Sequence, residues 1–350
     1  MEEWLTRVWY GGGRGGWVLL PLSALYAAVI AVRRWAYSSG LKKSYRVGKP
    51  VVIVGNLTVG GTGKTPLVVW LAQQLQSRGL KVGIVSRGYG SQGGLPREVS
   101  STSANWREVG DEPVLIARRS ACRVFVSADR VAAARQAVKS GADIVVSDDG
   151  LQHLRLARDT EIVVIDGARG LGNGRQLPAG PLRESAHRLE SVDLAVINGN
   201  TIAADVATMT FSTDRGPLGM QLLATHVVPV RALRAGGDSG AESLDTFRGR
   251  RVHAVAGIGH PERFFKMLRT REIDAIEHAF PDHHPFAASE LSFADDLPIL
   301  MTEKDAVRCE SFATDRMKFI PVSAELSESD AQRLLETIDY AANASRPATR

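Results

Sequence analysis

The sequence predicts an α/β protein: a P-loop-containing, mostly parallel, doubly wound sheet, a second, smaller α/β domain and an N-terminal membrane-associated helix. Three observations predict it. Short β-branched runs alternate with helical stretches, which is the pattern of a parallel sheet with crossover helices. A glycine-rich turn joins the first of these runs to a helix. One long apolar stretch near the N-terminus is flanked by basic residues.

The apolar stretch runs from Trp17 to Val32. As a helix of that length it covers roughly 24 Å, short of the ~30 Å hydrocarbon core, so the expectation is a helix dipping into one leaflet. Arg33, Arg34, Lys42 and Lys43 follow it at headgroup level. A buried core helix and a signal peptide pass the same test. The net charge of +5 sits here: the first fifty residues hold eight Lys and Arg against Glu2 and Glu3. Basicity confined to one apolar segment favours an anionic membrane surface and gives no indication of nucleic acid. Cys122 and Cys309 stand far apart with no ligand spacing around them, which excludes a disulfide framework and fits a reducing cytosol.

Pro50–Gly55 reads as the first buried strand, and Pro66–Leu75 as the helix after the turn, with proline in its first turn and Gly79 closing it. Strands are expected near residues 81–85, 122–126, 144–147, 162–165 and 194–197. Thr201–Gly219 is polar and irregular and resembles a connection between domains. Beyond it, strands at 251–256 and 297–301 and helices at 261–268 and 306–310 suggest the smaller domain. The expected division is therefore 1–46 (helix and basic flank), 47–205 (P-loop domain), 206–340 (smaller domain) and 341–350 (disordered tail).

Thr58-Val59-Gly60-Gly61-Thr62-Gly63-Lys64-Thr65 carries the clearest chemistry. Glycines let backbone N–H groups converge on phosphate oxygens, and the helix N-terminus adds positive potential. Lys64 would neutralise the β- and γ-phosphates of ATP, and the Thr65 hydroxyl would bind Mg²⁺. Thr58 replaces the usual first glycine of the motif, and Gly60-Gly61 supplies the flexibility. The turn also resembles partition-type ATPases, but Val59 occupies the place of their signature lysine.

Ile144–Ser147 is a buried run ending in Asp148-Asp149, a Walker-B arrangement that sets carboxylates beside Mg²⁺; either aspartate could bind it directly. His153 follows within a turn and could serve substrate binding or local hydrogen bonding. Gly110-Asp111-Glu112-Pro113 reads as a helix start with acids in its first turn, or as a base, Asp111, for a sugar hydroxyl. Phe280–Phe286 carries Asp282, His283 and His284 between aromatics, where histidine beside carboxylate can tune a proton acceptor. Arg87 and Tyr89 in Ser86–Gly90, and Arg183 in Leu177–Glu184, belong to rigid loops suited to a phosphate or sugar.

These segments, with Thr302-Glu303-Lys304-Asp305-Ala306-Val307, occur in an order that resembles the tetraacyldisaccharide 4′-kinases, the lipid A 4′-kinases of Gram-negative bacteria. The resemblance implies transfer of the γ-phosphate of ATP, with Mg²⁺, to the 4′-hydroxyl of a tetraacylated glucosamine disaccharide 1-phosphate. It implies attachment to the cytoplasmic face of the inner membrane through the N-terminal helix, and two α/β domains facing a substrate cleft. It makes Asp111 the base, assisted by His283. The roles of His284, Lys304 and Asp305 stay open. A membrane-associated P-loop ATPase switch and a soluble small-metabolite kinase are the competing readings.

Overall fold

The computed structural model describes residues 2–11, 13, 15–88, 96–100, 105–211, 216–235 and 240–344. In chain order these form α1 (Glu2–Tyr10), α2 (Leu20–Ser38), β1 (Val51–Gly55), α3 (Lys64–Ser77), β2 (Val82–Ser86), β3 (Arg97–Val99), α4 (Trp106–Val109), α5 (Asp111–Ser120), β4 (Arg123–Val126), α6 (Arg130–Lys139), β5 (Ile144–Asp148), β6 (Thr160–Asp166), β7 (Leu194–Asn198), α7 (Ala204–Ala207) and β8 (Leu218–Leu223). There follow β9 (His226–Pro229), β10 (Glu242–Ser243), β11 (Arg251–Ala256), α8 (Pro261–Thr270), β12 (Asp274–Ala279), β13 (Ile299–Thr302), α9 (Glu303–Cys309), β14 (Met317–Ile320), β15 (Ser323–Leu326) and α10 (Glu328–Ala344). Contacts divide the chain into two compact units.

Unit 1 takes residues 1–87, 129–222 and 324–350. Its strands run in the order β8-β7-β6-β1-β5-β2, with each neighbouring pair parallel. β1 sits in the middle; on one side the chain winds outward through β6, β7 and β8, and on the other it reaches β2 first and returns to insert β5 beside β1. Every residue of β1, β2, β5, β6 and β7 is buried, which explains why these strands read as continuous apolar runs. Asp129 caps α6 by accepting hydrogen bonds from the Val131 and Ala132 amides.

Unit 2 takes residues 88–128 and 223–323. Its main sheet has the order β10-β9-β14-β13-β11-β12, parallel from β14 to β12 and antiparallel at β9 and β10. One face packs Val252, Ala254 and Ala256 against Phe264, Phe265 and Leu268 of α8. The other packs Val255, Ile299 and Met301 with Ala306 and Cys309 of α9. α5 lies against α9 and is followed by β4, which pairs antiparallel with β3.

Three differences from the sequence reading have physical causes. Unit 2 is not the continuous C-terminal stretch expected from residue 206, because residues 88–128 join it through contacts that linear order conceals. The expected tail from 341 is still helical as far as Ala344. The N-terminal helix is also longer than its apolar run: a turn at Gly16–Leu19 leads directly into α2, giving Gly16–Ser38, 23 residues. That length spans roughly 34 Å and is sufficient to cross a bilayer. The helix continues because Arg33 and Arg34, which looked like the end of it, are hydrogen-bonded to Gln152 O and to Glu184.

The core-helix alternative for this segment does not hold. Val18, Leu22, Leu25, Val29 and Val32 are more than half exposed and recur at three- and four-residue spacing along one side. Ser23, Tyr26 and Arg34 instead bond to Gln176 O, Arg183 O and Glu184 of the same unit. The polar groups thus meet protein and the apolar stripe faces away, the reverse of a soluble amphipathic helix. Replacing Leu25 and Val29 together by Glu is expected to abolish flotation with anionic phospholipid vesicles while leaving the melting temperature unchanged. A fall of several degrees in Tm would show that the stripe is packed.

Candidate active site

In unit 1, β1 delivers the chain into the turn at 56–63, and Lys64 opens α3. Gly63 is held at φ 94°, and a Cβ there would lie 2.6 Å from Asn198 Nδ2. Asn198, at the end of β7, donates to Thr62 O at 3.0 Å. Asn56 is fully buried and donates to Thr58 O at 2.6 Å and Gly60 O at 3.1 Å, shaping the turn from inside. Lys64 Nζ donates to Asn56 Oδ1 at 2.9 Å and stands 3.7 Å from Asp149 Oδ1. The buried Thr62 hydroxyl has no hydrogen-bond partner among the described residues.

The parallel register sets Val54 of β1 opposite Asp148 of β5, so the turn and the two aspartates emerge side by side. Asp148 is buried, whereas Asp149 turns outward at φ 50°. Burial by itself would raise the Asp149 carboxyl, but the Lys64 and Arg183 cations hold it below the ordinary aspartate value. Arg183 Nη1 contacts both Asp149 oxygens at 3.0 Å. The oxygen donors of Thr65, Asp148 and Asp149 suit a hard cation such as Mg²⁺, which takes one or two carboxylates and fills its shell with phosphate and water. Among the described residues there is no cluster of three or more His, Cys, Asp or Glu able to hold a metal.

Of the residues expected to meet the acceptor, Arg183 is committed to Asp149. His153 is brought down to about 4 by burial and by the nearby Arg130 charge, which keeps it neutral at physiological pH. Arg87 is exposed and close enough to Arg130 to depress it. Tyr89 lies outside the described residues. Sequence reasoning missed Arg130, which is almost fully buried and donates to Asp148 O at 3.3 Å. It also missed Asn56, although an amide directly after a buried strand is a signal for a turn held from within.

The loop at Leu177–Glu184 braces this cradle. Val59 N donates to Pro181 O at 2.9 Å and Arg183 N to Leu57 O at 2.7 Å. Glu184, 3% exposed, accepts from Arg34 of α2 at 2.7 Å and from Gln152 at 3.0 Å. One short loop therefore contacts the P-loop, the Asp149 carboxylate and the apolar helix.

Unit 2 holds the other cluster. Asp111 begins α5 after Gly110, whose φ of 93° supplies the abrupt helix entry. Its Oδ1 accepts the Glu112 amide at 2.9 Å and its Oδ2 lies 3.1 Å from His283 Nδ1. His283 itself stands at φ 59°, in the left-handed region where a non-glycine residue is uncommon. Burial opposes ionisation of Asp111, but the His283 hydrogen bond, Lys304 and Arg308 outweigh it and hold the carboxyl at about 2. The Asp111 hydrogen bond raises His283 in turn. Lys304 is paired with Glu112 and lifted by it and by Asp111, despite burial. Asp305 accepts the Gly257 amide at 3.1 and 3.2 Å, and His284 Nε2 lies 2.9 Å from Glu290.

Two tests follow from this geometry. Gly63→Ala is expected to cost about 1–2 kcal/mol for the left-handed backbone, plus the clash with Asn198, in chemical denaturation without nucleotide. Gly61→Ala, where a Cβ meets nothing within 4 Å, is expected to leave stability unchanged; equal losses would contradict the strained turn. The Asp111–His283 interaction stabilises the fold only while the carboxylate is ionised and the imidazole protonated. Its contribution is lost in acid as pH falls towards the low Asp111 value, and is lost again as pH rises through the elevated His283 value. Asp111→Asn should lower the His283 titration midpoint in NMR, and an unmoved midpoint would show that the two groups are not coupled.

Comparison with known proteins identifies the family. Residues 16–340 match the family model described as tetraacyldisaccharide-1-P 4′-kinase. A tetraacyldisaccharide 4′-kinase of Alkalilimnicola ehrlichii is 50% identical over 317 residues, 90% of each chain. One from Nitrosococcus oceani is 43% identical over 340 residues, 97% of this chain and 95% of that one. The crystal structure of LpxK from Aquifex aeolicus in complex with ATP is 28% identical, superposes with a TM-score of 0.76, and covers 93% of this chain and 99% of that one. The chain belongs to the tetraacyldisaccharide-1-P 4′-kinase family.

Proposed function

We propose that this protein transfers the γ-phosphate of ATP to the 4′-hydroxyl of a tetraacylated glucosamine disaccharide 1-phosphate, working at the cytoplasmic face of a bacterial inner membrane. Family membership makes it a phosphotransferase of the lipid A pathway. The observation that carries the reading is the Asp111–His283 pair, a carboxylate oriented by an imidazole, which is an arrangement able to take the proton of an attacking alcohol.

In this reading the turn amides and Lys64 bind and neutralise the ATP phosphates. Thr65, Asp148 and Asp149 would hold Mg²⁺, which offsets charge on the transferring group. Arg130 and Arg183 keep the two aspartates in place. His153, neutral, and Arg87 are the candidates for contacts with the acceptor, together with Tyr89. Asp111 and His283 act as one titrating unit. His283 Nδ1 and Arg308 occupy Oδ2 and the Glu112 amide one position on Oδ1, so a lone pair of Oδ1 remains to receive the hydroxyl proton. A carboxylate held at about 2 is a weak base, but phosphoryl transfer needs little proton transfer before bond cleavage, so its task is orientation followed by late acceptance.

Membrane association is assigned to α2, whose outward stripe would enter the lipid phase where the acyl chains lie. Beside it, a groove of about 620 Å³ is lined by Ala27, Ile30 and Ala31 with Arg34, Gln176 and Arg188.

The direct test incubates the protein with labelled ATP and an acylated disaccharide 1-phosphate in mixed micelles, and label is expected in the lipid. Release of free phosphate without labelled lipid would favour the switch. Labelling of a small polar acceptor in preference to the lipid would favour a soluble metabolite kinase. Asp111→Ala should reduce turnover by roughly 10²–10⁴ with ATP binding intact. Lys64→Ala should impair ATP use, and full activity in either variant would remove the corresponding role.

A further inference from the structure

Arg308 is the largest fully buried side chain in the described structure, at 0% exposure. A guanidinium in that position needs an acceptor for each nitrogen, and each is supplied. Nε lies 3.1 Å from Asp111 Oδ2 and 3.4 Å from Lys304 O. Nη1 donates to His284 O at 3.0 Å. Nη2 donates to Gly257 O at 3.0 Å and lies 3.1 Å from Asp305 Oδ1. Those acceptors come from α5, from the loop that carries His283, from the end of β11 and from α9 itself. A single rigid fork therefore joins the carboxylate to the backbone beside its histidine partner.

We propose that Arg308 is a positioning residue for the phosphoryl-transfer reaction, fixing the separation of Asp111 from the His283 loop and sharing the Asp111 Oδ2 atom with His283. The inference rests on the kinase reading for its consequence in turnover, but not for its effect on His283. Arginine suits the task because its planar fork reaches three segments at once, whereas lysine is a point charge and can satisfy only part of the set. Sharing one oxygen makes Arg308 and His283 competitors for its electron density. Loss of Arg308 should thus strengthen the hydrogen bond from His283 and make the imidazole more basic. The charged and titratable groups around Asp111 are Glu112 on α5, Lys304, Asp305 and Arg308 on α9, and Asp282 and His283 on the loop. Lys304 is paired with Glu112, whereas Arg308 is paired with both Asp111 and Asp305, so removing Arg308 leaves two buried carboxylates short of their shared cation.

The test uses the full-length protein in detergent and two variants. Arg308→Gln is expected to raise the His283 titration midpoint, followed by imidazole NMR, and to lower kcat with KM for ATP unchanged. Arg308→Lys keeps the charge, so the midpoint should stay near that of the parent, while kcat falls by roughly 10²-fold from lost alignment. A folded Arg308→Gln variant with an unmoved midpoint would overturn the proposal, since a merely structural arginine changes stability and not His283. If Arg308→Gln does not fold, Arg308→Lys decides, and parental kcat in that variant overturns it. Failure of the kinase reading shows separately, as absence of labelled lipid from the unsubstituted protein, and the His283 titration still tests the link.

Discussion

The parallel alignment of β1 with β5 is the constraint on which the nucleotide end depends. Because Val54 lies opposite Asp148, the chain leaves both strands at the same level. The phosphate turn and the acidic pair are then neighbours without any long side chain having to reach. A slip of one residue would reverse which side chains of β5 face which layer and carry the aspartates out of position. Complete burial of both strands defends that register, since any slip would expose apolar side chains or strand buried amides. Lys64, Asn56, Arg130 and Asn198 then act locally, through short hydrogen bonds and ion pairs to their immediate neighbours.

The second cluster achieves its alignment by other means. Asp111 and His283 are 172 positions apart in sequence, and no strand register sets them opposite one another. Instead, a glycine in an open conformation starts α5 abruptly, a left-handed residue presents the imidazole, and a buried arginine fork spans the gap between them. Backbone strain and a buried charge are each unfavourable alone and persist where surrounding contacts over-determine them. Their coincidence on one carboxylate marks it out from an ordinary helix-starting acid.

The parts legible in the sequence were those whose signal is local. The P-loop turn, the buried strands and the strand-end aspartates follow from residue type and immediate neighbours. Asp111 looked like a good helix start from its own neighbourhood, and it is one; only the family resemblance distinguished it. Arg308 gave no local signal, since an arginine late in a short helix normally faces water or complements the helix dipole. β12, Asp274–Ala279, was missed because its exposed and half-buried residues lack the apolar run of a central strand. The extent of unit 2 was hidden because residues 88–128 return to it from the far side of the sequence. The length of α2 was underestimated for a related reason: Arg33 and Arg34 look like a terminus until their partners, Gln152 and Glu184, are known.

The two outermost indoles of that helix carry a consequence of their own. Trp17 is 71% exposed near its start and Trp35 61% exposed near its end. Eighteen residues of helix separate them by roughly 27 Å. Tryptophan prefers the boundary where headgroups meet acyl chains. In the membrane reading the Ser23, Tyr26, Arg33 and Arg34 side chains stay on unit 1, so the helix lies along the membrane surface and both indoles rest at one and the same boundary, like two floats on a single line.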